Sequence, residues 1–136
     1  MASTFVLEVV TPDRKFFEDE VEMVVARGKE GDIGILKGHT PFVTPLDIGR
    51  IRIKQNGEFK EATIAGGYIE VGKDKTTIIT DAAEWPEEID VDRAKAAKER
   101  AEKKLEYSKS EKDIIRARVA LRKALNRIDM AEKHRY

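Results

Sequence analysis

Glycine and proline are confined to one part of the chain, and that confinement limits the fold more than any other feature. All nine glycines lie between Gly28 and Gly72, and the four prolines, Pro12, Pro41, Pro45 and Pro86, fall within the first 86 of 136 residues. From Glu87 onward there is neither, so nothing there breaks a helix. Charge changes at the same place. Residues 1–86 carry 11 Lys/Arg against 15 Asp/Glu, a net −4, and residues 87–136 carry 15 against 11, a net +4, which the neutral total conceals. Pro86 marks the boundary, because proline keeps the preceding Trp85 out of helical geometry. Two domains are expected, 1–86 and 87–136.

The first part alternates with period two. Phe5, Leu7 and Val9 alternate with Val6, Glu8 and Val10; Val21, Met23 and Val25 with Glu22 and Val24; Ile51 and Ile53 with Arg50, Arg52 and Lys54; Thr76 to Thr80 is β-branched throughout. Turn residues separate the runs at Thr11-Pro12-Asp13, Gly28-Lys29-Glu30-Gly31, Gln55-Asn56-Gly57 and Gly72-Lys73-Asp74-Lys75. Asn56-Gly57, between Ile53 and Phe59, is the strongest hairpin signal. Short strands without intervening helices point to an antiparallel sandwich or small barrel.

The second part has helical period. Asp90 is placed to cap a helix whose apolar stripe is Ala94, Ala97, Ala101 and Leu105. Tyr107 to Ser110 interrupts it, and either Ser108 with Glu111 or Ser110 with Asp113 opens a second helix with the stripe Ile114, Ala117, Leu121, Ala124, Ile128 and Ala131. The short connection implies an antiparallel hairpin. The class is therefore α+β: an N-terminal antiparallel β-sandwich followed by a C-terminal antiparallel α-helical hairpin. Alanine-rich stripes remove little apolar area from water, so the hairpin is marginal alone and leans on another surface.

Composition excludes several classes. With 38% charged and 40% hydrophobic residues, the sequence is neither disordered nor collagen-like. It has no cysteine, which removes disulfides, thiol nucleophiles and thiolate metal sites. No apolar run approaches the roughly 20 residues that span a bilayer, and Met1 to Val10 lacks the character of a secretory signal; a soluble intracellular protein is expected. Interspersed acids and a neutral total argue against nucleic-acid binding.

Three motifs require weighing. Gly67 to Lys73 has the glycine and lysine spacing of a phosphate loop, but Asp74 stands where a magnesium-binding hydroxyl belongs, and the intervening Tyr-Ile-Glu-Val alternates like a strand. His39, in Gly38-His39-Thr40-Pro41, has acids such as Asp32 and Asp47 nearby in sequence, but nothing places a nucleophile on a sharp turn. Neither catalytic residues nor metal ligands are assigned. The third motif is at the domain boundary. Asp90 there is either a plain helix cap paired with Arg93 or part of a polyphosphate site, since Arg93 and Arg100 share a helical face and an antiparallel hairpin returns Arg122, Lys123 and Arg127 beside Asp90.

The run Gly31-Asp32-Ile33-Gly34-Ile35-Leu36-Lys37-Gly38-His39-Thr40-Pro41-Phe42-Val43-Thr44-Pro45-Leu46 resembles the signature of the epsilon subunit of bacterial F-type ATP synthase. Ala65-Gly66-Gly67-Tyr68-Ile69-Glu70-Val71 is similar to a strand of that family, and Ala120-Leu121-Arg122-Lys123-Ala124-Leu125-Asn126-Arg127 to its second helix. The resemblance extends over nearly the whole sequence. It implies a sandwich of about ten strands held against the gamma subunit and the c-subunit ring, followed by a helical hairpin. It also implies a non-catalytic rotor subunit of a proton- or sodium-translocating synthase, peripheral on the cytoplasmic side of the bacterial membrane. The mobile C-terminal helices would extend into the alpha/beta hexamer and inhibit hydrolysis there.

The resemblance further implies no required cofactor, with ATP as a regulatory ligand of the folded-down hairpin. The family's Ile/Leu-Asp-x-x-Arg-Ala motif is matched by Ile89, Asp90, Arg93 and Ala94. With Glu84 these would hold the nucleoside portion, while Arg100, Lys123 and Arg127 would lie near the phosphates. Asp32 and His39 are implied as partner contacts, on a loop turned toward the rotor. The sequence departs from the family pattern in two places: Lys37 replaces a proline, and Arg122-Lys123 reverses Lys-Arg, putting a point charge where a planar bidentate arginine is usual. The competing readings are a free-standing ATP-sensing module with another helical partner and a small hydrolase using His39.

Overall fold

The computed structural model describes residues 3–134, and the protein falls into two compact units, Met1–Glu84 and Trp85–Tyr136.

Among the described residues the first unit has eight strands: β1 Phe5–Val10, β2 Lys15–Val21, β3 Met23–Gly28, β4 Gly31–Leu36, β5 Phe42–Gln55, β6 Glu58–Val71, β7 Lys75–Ile79 and β8 Ala83–Glu84. They are ordered β2-β1-β7-β6-β5-β3-β4, with β8 against β6. Asn56-Gly57 joins β5 to β6 as a two-residue turn, Gln55 opposite Glu58, with φ of 52° and 80°. Positive φ at both positions is the type I′ turn that matches strand twist.

β5 and β6 are 14 residues each and serve both halves of the sandwich. Phe42–Leu46 pairs with Gly67–Val71, which continues to β7, β1 and β2; the other ends carry β3, β4 and β8. Halfway along, the buried positions change phase, from Leu46 to Ile51 and Ile53 and from Ile64 to Ile69 and Val71. Gly66 and Gly67 lie at that change with φ of 80° and 110°, and a Cβ at Gly67 would overlap the Ile79 carbonyl. The expected count of about ten strands is thus corrected to eight, because two long strands each do the work of two.

Two further expectations change. Val21 to Val25 is not one strand: β2 ends at Val21, the backbone bends at Glu22, and the inward residues are Val21, Val24 and Ala26, leaving Met23 and Val25 half-buried. The Glu22 N–H donates to the Lys54 carbonyl at 2.8 Å, which fixes the bend. In addition, β1 pairs with β7 in parallel, Val6 opposite Lys75 to Val10 opposite Ile79, while the other pairs are antiparallel. Leu7, Val9, Ile51, Ile53, Ile69 and Ile78 are wholly buried and form the core.

The second unit opens with a 3₁₀ turn at Pro86–Glu88, where the Trp85 N–H donates to Glu88 Oε1 at 2.9 Å. Helix α1 spans Val91–Tyr107 and α2 Glu111–Lys133. Asp90 caps α1, and of the two possible caps for α2 the protein uses Ser110, whose hydroxyl accepts from Asp113 N–H at 3.1 Å. Ser108 instead ends α1, its N–H donating to Lys104 O at 2.8 Å. Ala94, Ala101, Ala117 and Ala124 are buried, while Leu105, Ile114, Leu121 and Ile128 are only half-buried. Met130, outside the expected stripe, is buried as well. No helix among the described residues is long and apolar enough to cross a membrane.

Candidate nucleotide site and partner surfaces

In the second unit, α1 begins on a side-chain cap. Asp90 is extended, and its Oδ1 accepts from the Arg93 N–H at 3.0 Å while its carbonyl accepts from Ala94 N–H at 3.0 Å. Ile89 just before it is buried, its N–H donating to Pro86 O at 3.3 Å, and Ala94 is wholly buried. Apolar residues at Ile89 and Ala94 therefore hold the end of the helix while Asp90 and Arg93 face solvent. The simple expectation that the two side chains form an ion pair is corrected. Asp90 Oδ1 is engaged by the Arg93 backbone N–H instead, and no Asp90–Arg93 side-chain ion pair occurs among the described residues. The guanidinium is left to point elsewhere.

Helix α2 packs antiparallel on α1. Ala94 and Ala101 on α1 and Ala117 and Ala124 on α2 are all buried, so both helices present alanine to the packed side. Lys123 and Arg127 lie either side of Ala124 on α2, half-buried and one turn apart. Arg100 is exposed two turns beyond Arg93. Ile89, Asp90, Arg93 and Ala94 thus lie at the start of α1 with Arg100 further along it, and Lys123 and Arg127 lie in the second half of α2. Glu84 belongs to the other unit, where it ends β8 and its carbonyl accepts from Thr63 Oγ1 at 3.4 Å.

Asp32 and His39 are not on one loop. Gly31–Leu36 is strand β4, so Asp32 lies at its start, bound to Arg27 Nε at 2.7 Å, and His39 lies past its other end. The His39 N–H donates to Leu36 O at 3.2 Å; its exposed ring has Nδ1 2.9 Å from Thr40 O and lies tilted by 43° against Phe42, with centroids 5.1 Å apart. No carboxylate meets that ring among the described residues, so no hydrolytic triad assembles. The phosphate-loop spacing likewise dissolves: Gly67–Val71 is strand, and Gly72 N–H closes a turn on Lys75 O at 2.9 Å. No group of three His, Cys, Asp or Glu able to hold a metal occurs among the described residues.

One feature escaped the sequence reading. Pro45 pairs with Tyr68, Tyr68 with Ile79 and Ile79 with Val10, forming an outward row across four strands, with Val43 one step away on β5. Tyr68 is 55% exposed, Ile79 44% and Val43 64%. Ile78-Ile79 could have signalled it, since consecutive isoleucines in a strand must face opposite sides. Contiguous exposed apolar residues mark an interaction surface.

This architecture, a folded sheet followed by an alanine-seamed helical pair, defines a class of two-domain proteins. Family models for the ATP synthase delta/epsilon chain match it in both parts: the beta-sandwich domain over residues 4–86 and the long alpha-helix domain over residues 87–132. The chain belongs to the ATP synthase delta/epsilon chain family. It is 53% identical over 131 residues to the ATP synthase epsilon chain of Caldicellulosiruptor saccharolyticus, covering 96% of each chain. It is 58% identical over 132 residues to that of Alkaliphilus metalliredigens, covering 97% of this chain and 98% of the relative. Among solved structures it resembles a chain of the Euglena gracilis mitochondrial ATP synthase assembly of OSCP, F1 and c-ring. The TM-score there is 0.80 at 26% identity, covering 98% of this chain and 84% of that one. A chain of the Tetrahymena thermophila central stalk and c-ring shares the fold, with a TM-score of 0.61 at 14% identity over 97% and 96% of the chains.

Proposed function

We propose that this protein is a non-catalytic rotor subunit of the central stalk of a proton- or sodium-translocating F-type ATP synthase, peripheral on the cytoplasmic side of the membrane. It couples rotation of the c-subunit ring to the catalytic head, and its sandwich binds the gamma subunit and the ring. The observation that carries this reading is the outward row Pro45, Tyr68 and Ile79, an apolar face of the kind a permanent partner covers. Asp32 and His39, at opposite ends of β4, contribute polar contacts at the margins. Replacing Tyr68 and Ile79 together by serine should release the protein from complexes captured from membranes while leaving its fold intact. Capture of other helical proteins, without catalytic and ring subunits, would favour a free-standing sensor instead.

The hairpin supplies regulation. Extended into the alpha/beta hexamer it blocks ATP hydrolysis; folded down it binds ATP through Ile89, Asp90, Arg93 and Ala94, with Arg100, Lys123 and Arg127 toward the phosphates. A +4 segment is drawn to acidic partner surfaces. The helix cap supports the nucleotide reading, because Asp90 is fixed by the backbone while the Arg93 guanidinium remains outside that bond. Binding at ATP tenfold above Kd shifts the equilibrium by roughly 1.4 kcal/mol, enough to move a marginal hairpin. Calorimetric titration of ATP should show saturable binding that Asp90→Ala/Arg93→Ala abolishes. Equal binding by the double variant would sink this site.

A further inference from the structure

The tip of the β5–β6 hairpin lies apart from the surfaces assigned above, and it carries the Asn-Gly pair Asn56-Gly57. Asparagine before glycine is chemically labile. The glycine backbone nitrogen attacks the asparagine Cγ, the bond from Cγ to the amide nitrogen Nδ2 breaks and ammonia leaves. Water then opens the resulting succinimide to aspartate or isoaspartate, so one water is consumed and one ammonia released. Glycine has no Cβ to hinder the approach. Asn56 is exposed, and the only other asparagine, Asn126, lies within helix α2 before Arg127.

The native turn opposes this reaction in two ways. With φ of 52° and 80° the pair forms a type I′ turn, in which ψ of the first residue is about +30°, and that orientation turns the Gly57 nitrogen away from the Asn56 side chain. Ring closure requires the Asn56–Gly57 peptide to swing round. The swing is resisted by a clamp from the β2–β3 corner: Gly57 N–H donates to Glu22 Oε1 at 2.9 Å, Glu22 N–H to Lys54 O at 2.8 Å, and Gln55 Nε2 to Glu20 O at 2.9 Å and Asp19 Oδ2 at 3.2 Å. The Gly57 amide must also lose its proton to become nucleophilic, and a carboxylate in contact with it disfavours the anion. Lys54 Nζ, 3.9 Å from Glu22 Oε2, offsets only part of that charge.

We infer that Asn56 is a site of spontaneous deamidation and that Glu22, by holding the Gly57 amide, is the residue that restrains it. The product places a new negative charge against Glu22 and, as isoaspartate, inserts an extra backbone carbon into a two-residue turn. Either change releases the clamp, so the modification is one-way and loosens the hairpin tip.

The test is to age the full-length protein in mildly alkaline buffer well below its unfolding temperature and to follow Asn56 and Asn126 by peptide mass spectrometry and isoaspartate detection. Wild type should modify slowly at Asn56 and not at Asn126. Loss of the charge-assisted bond in Glu22→Ala should accelerate Asn56 about tenfold, and Glu22→Gln, which keeps an acceptor without the charge, should fall between. Ile78→Val, which weakens the core away from the turn, should age at the wild-type rate. Equal rates in wild type and Glu22→Ala would overturn the inference. So would an equal acceleration in Ile78→Val, which would assign the effect to global unfolding.

Discussion

The two units bury their interiors with different residues. The sandwich fills its core with Leu7, Val9, Ile51, Ile53, Ile69 and Ile78, all wholly buried, whereas the wholly or nearly buried seam of the hairpin is Ala94, Ala101, Ala117 and Ala124. Burying a large aliphatic group contributes about 1.5–3 kcal/mol, and an alanine methyl contributes far less. The sandwich therefore specifies itself, while the hairpin gains close helix approach but little hydrophobic stabilisation. This is the property that the regulatory role proposed for the hairpin requires, since a ligand or partner shifts an equilibrium only by its differential affinity for the two states.

The largest expected effect tests the sandwich side of this contrast. Leu7→Ala leaves a cavity between β1 and its neighbours, where the leucine is wholly buried, and should cost about 2–5 kcal/mol in thermal or denaturant unfolding. The hairpin side is tested by overfilling. Ala117→Leu forces an isobutyl group against the buried Ala101 seam and should cost about 1–3 kcal/mol, read as faster amide exchange in α1 and α2 with sandwich protection unchanged. If Ala117→Leu lowered protection in β1 and β6 as much as in the helices, the two units would unfold as one and the contrast would fail.

How much of this was legible in sequence follows from where each decision is made. Asn56-Gly57 and the Asp90 cap are local and appear in the structure as the sequence suggests, and of the alanine stripes Ala94, Ala101, Ala117 and Ala124 are buried while Ala97 and Ala131 are half-buried. Ser108 and Ser110 offered equivalent caps, and only the trajectory of the backbone between helices selects Ser110. The bend at Glu22 was hidden because the alternation of Val21, Met23 and Val25 with Glu22 and Val24 reads as one continuous strand and masks a change of direction imposed by the Lys54 carbonyl. The parallel β1–β7 pairing and the phase change in β5 and β6 are set by partners distant in sequence, beyond any periodicity argument. For the candidate site, the cap position of Asp90 was legible, but no local pattern shows that its carboxylate takes the Arg93 backbone amide rather than the Arg93 side chain.

The smallest effect concerns the sandwich surface, where its charges do what its core does not. Glu8 meets Lys15 and Lys75 at 3.1 Å each, and Glu18 meets the same two lysines at 3.1 and 3.5 Å, closing a ring of alternating charge across β2, β1 and β7. Hydrogen bonds from Lys75, then Lys15, hold the Glu8 carboxyl below its ordinary 4.5, and bonds to Glu8 first raise both lysines above 10.5. A carboxyl lowered by folding contributes fully above 4.5 and loses that contribution as pH falls through its folded value. The raised lysines contribute fully below 10.5 and lose theirs as pH rises through their folded values. Glu8→Gln should therefore lower the sandwich's melting temperature slightly at neutral pH, and the difference from wild type should vanish in acid. Added salt should shrink it too, because these pairs face solvent. A difference that persisted unchanged in acid would assign the effect of Glu8 to packing rather than charge, and the sandwich would then rest on its core alone.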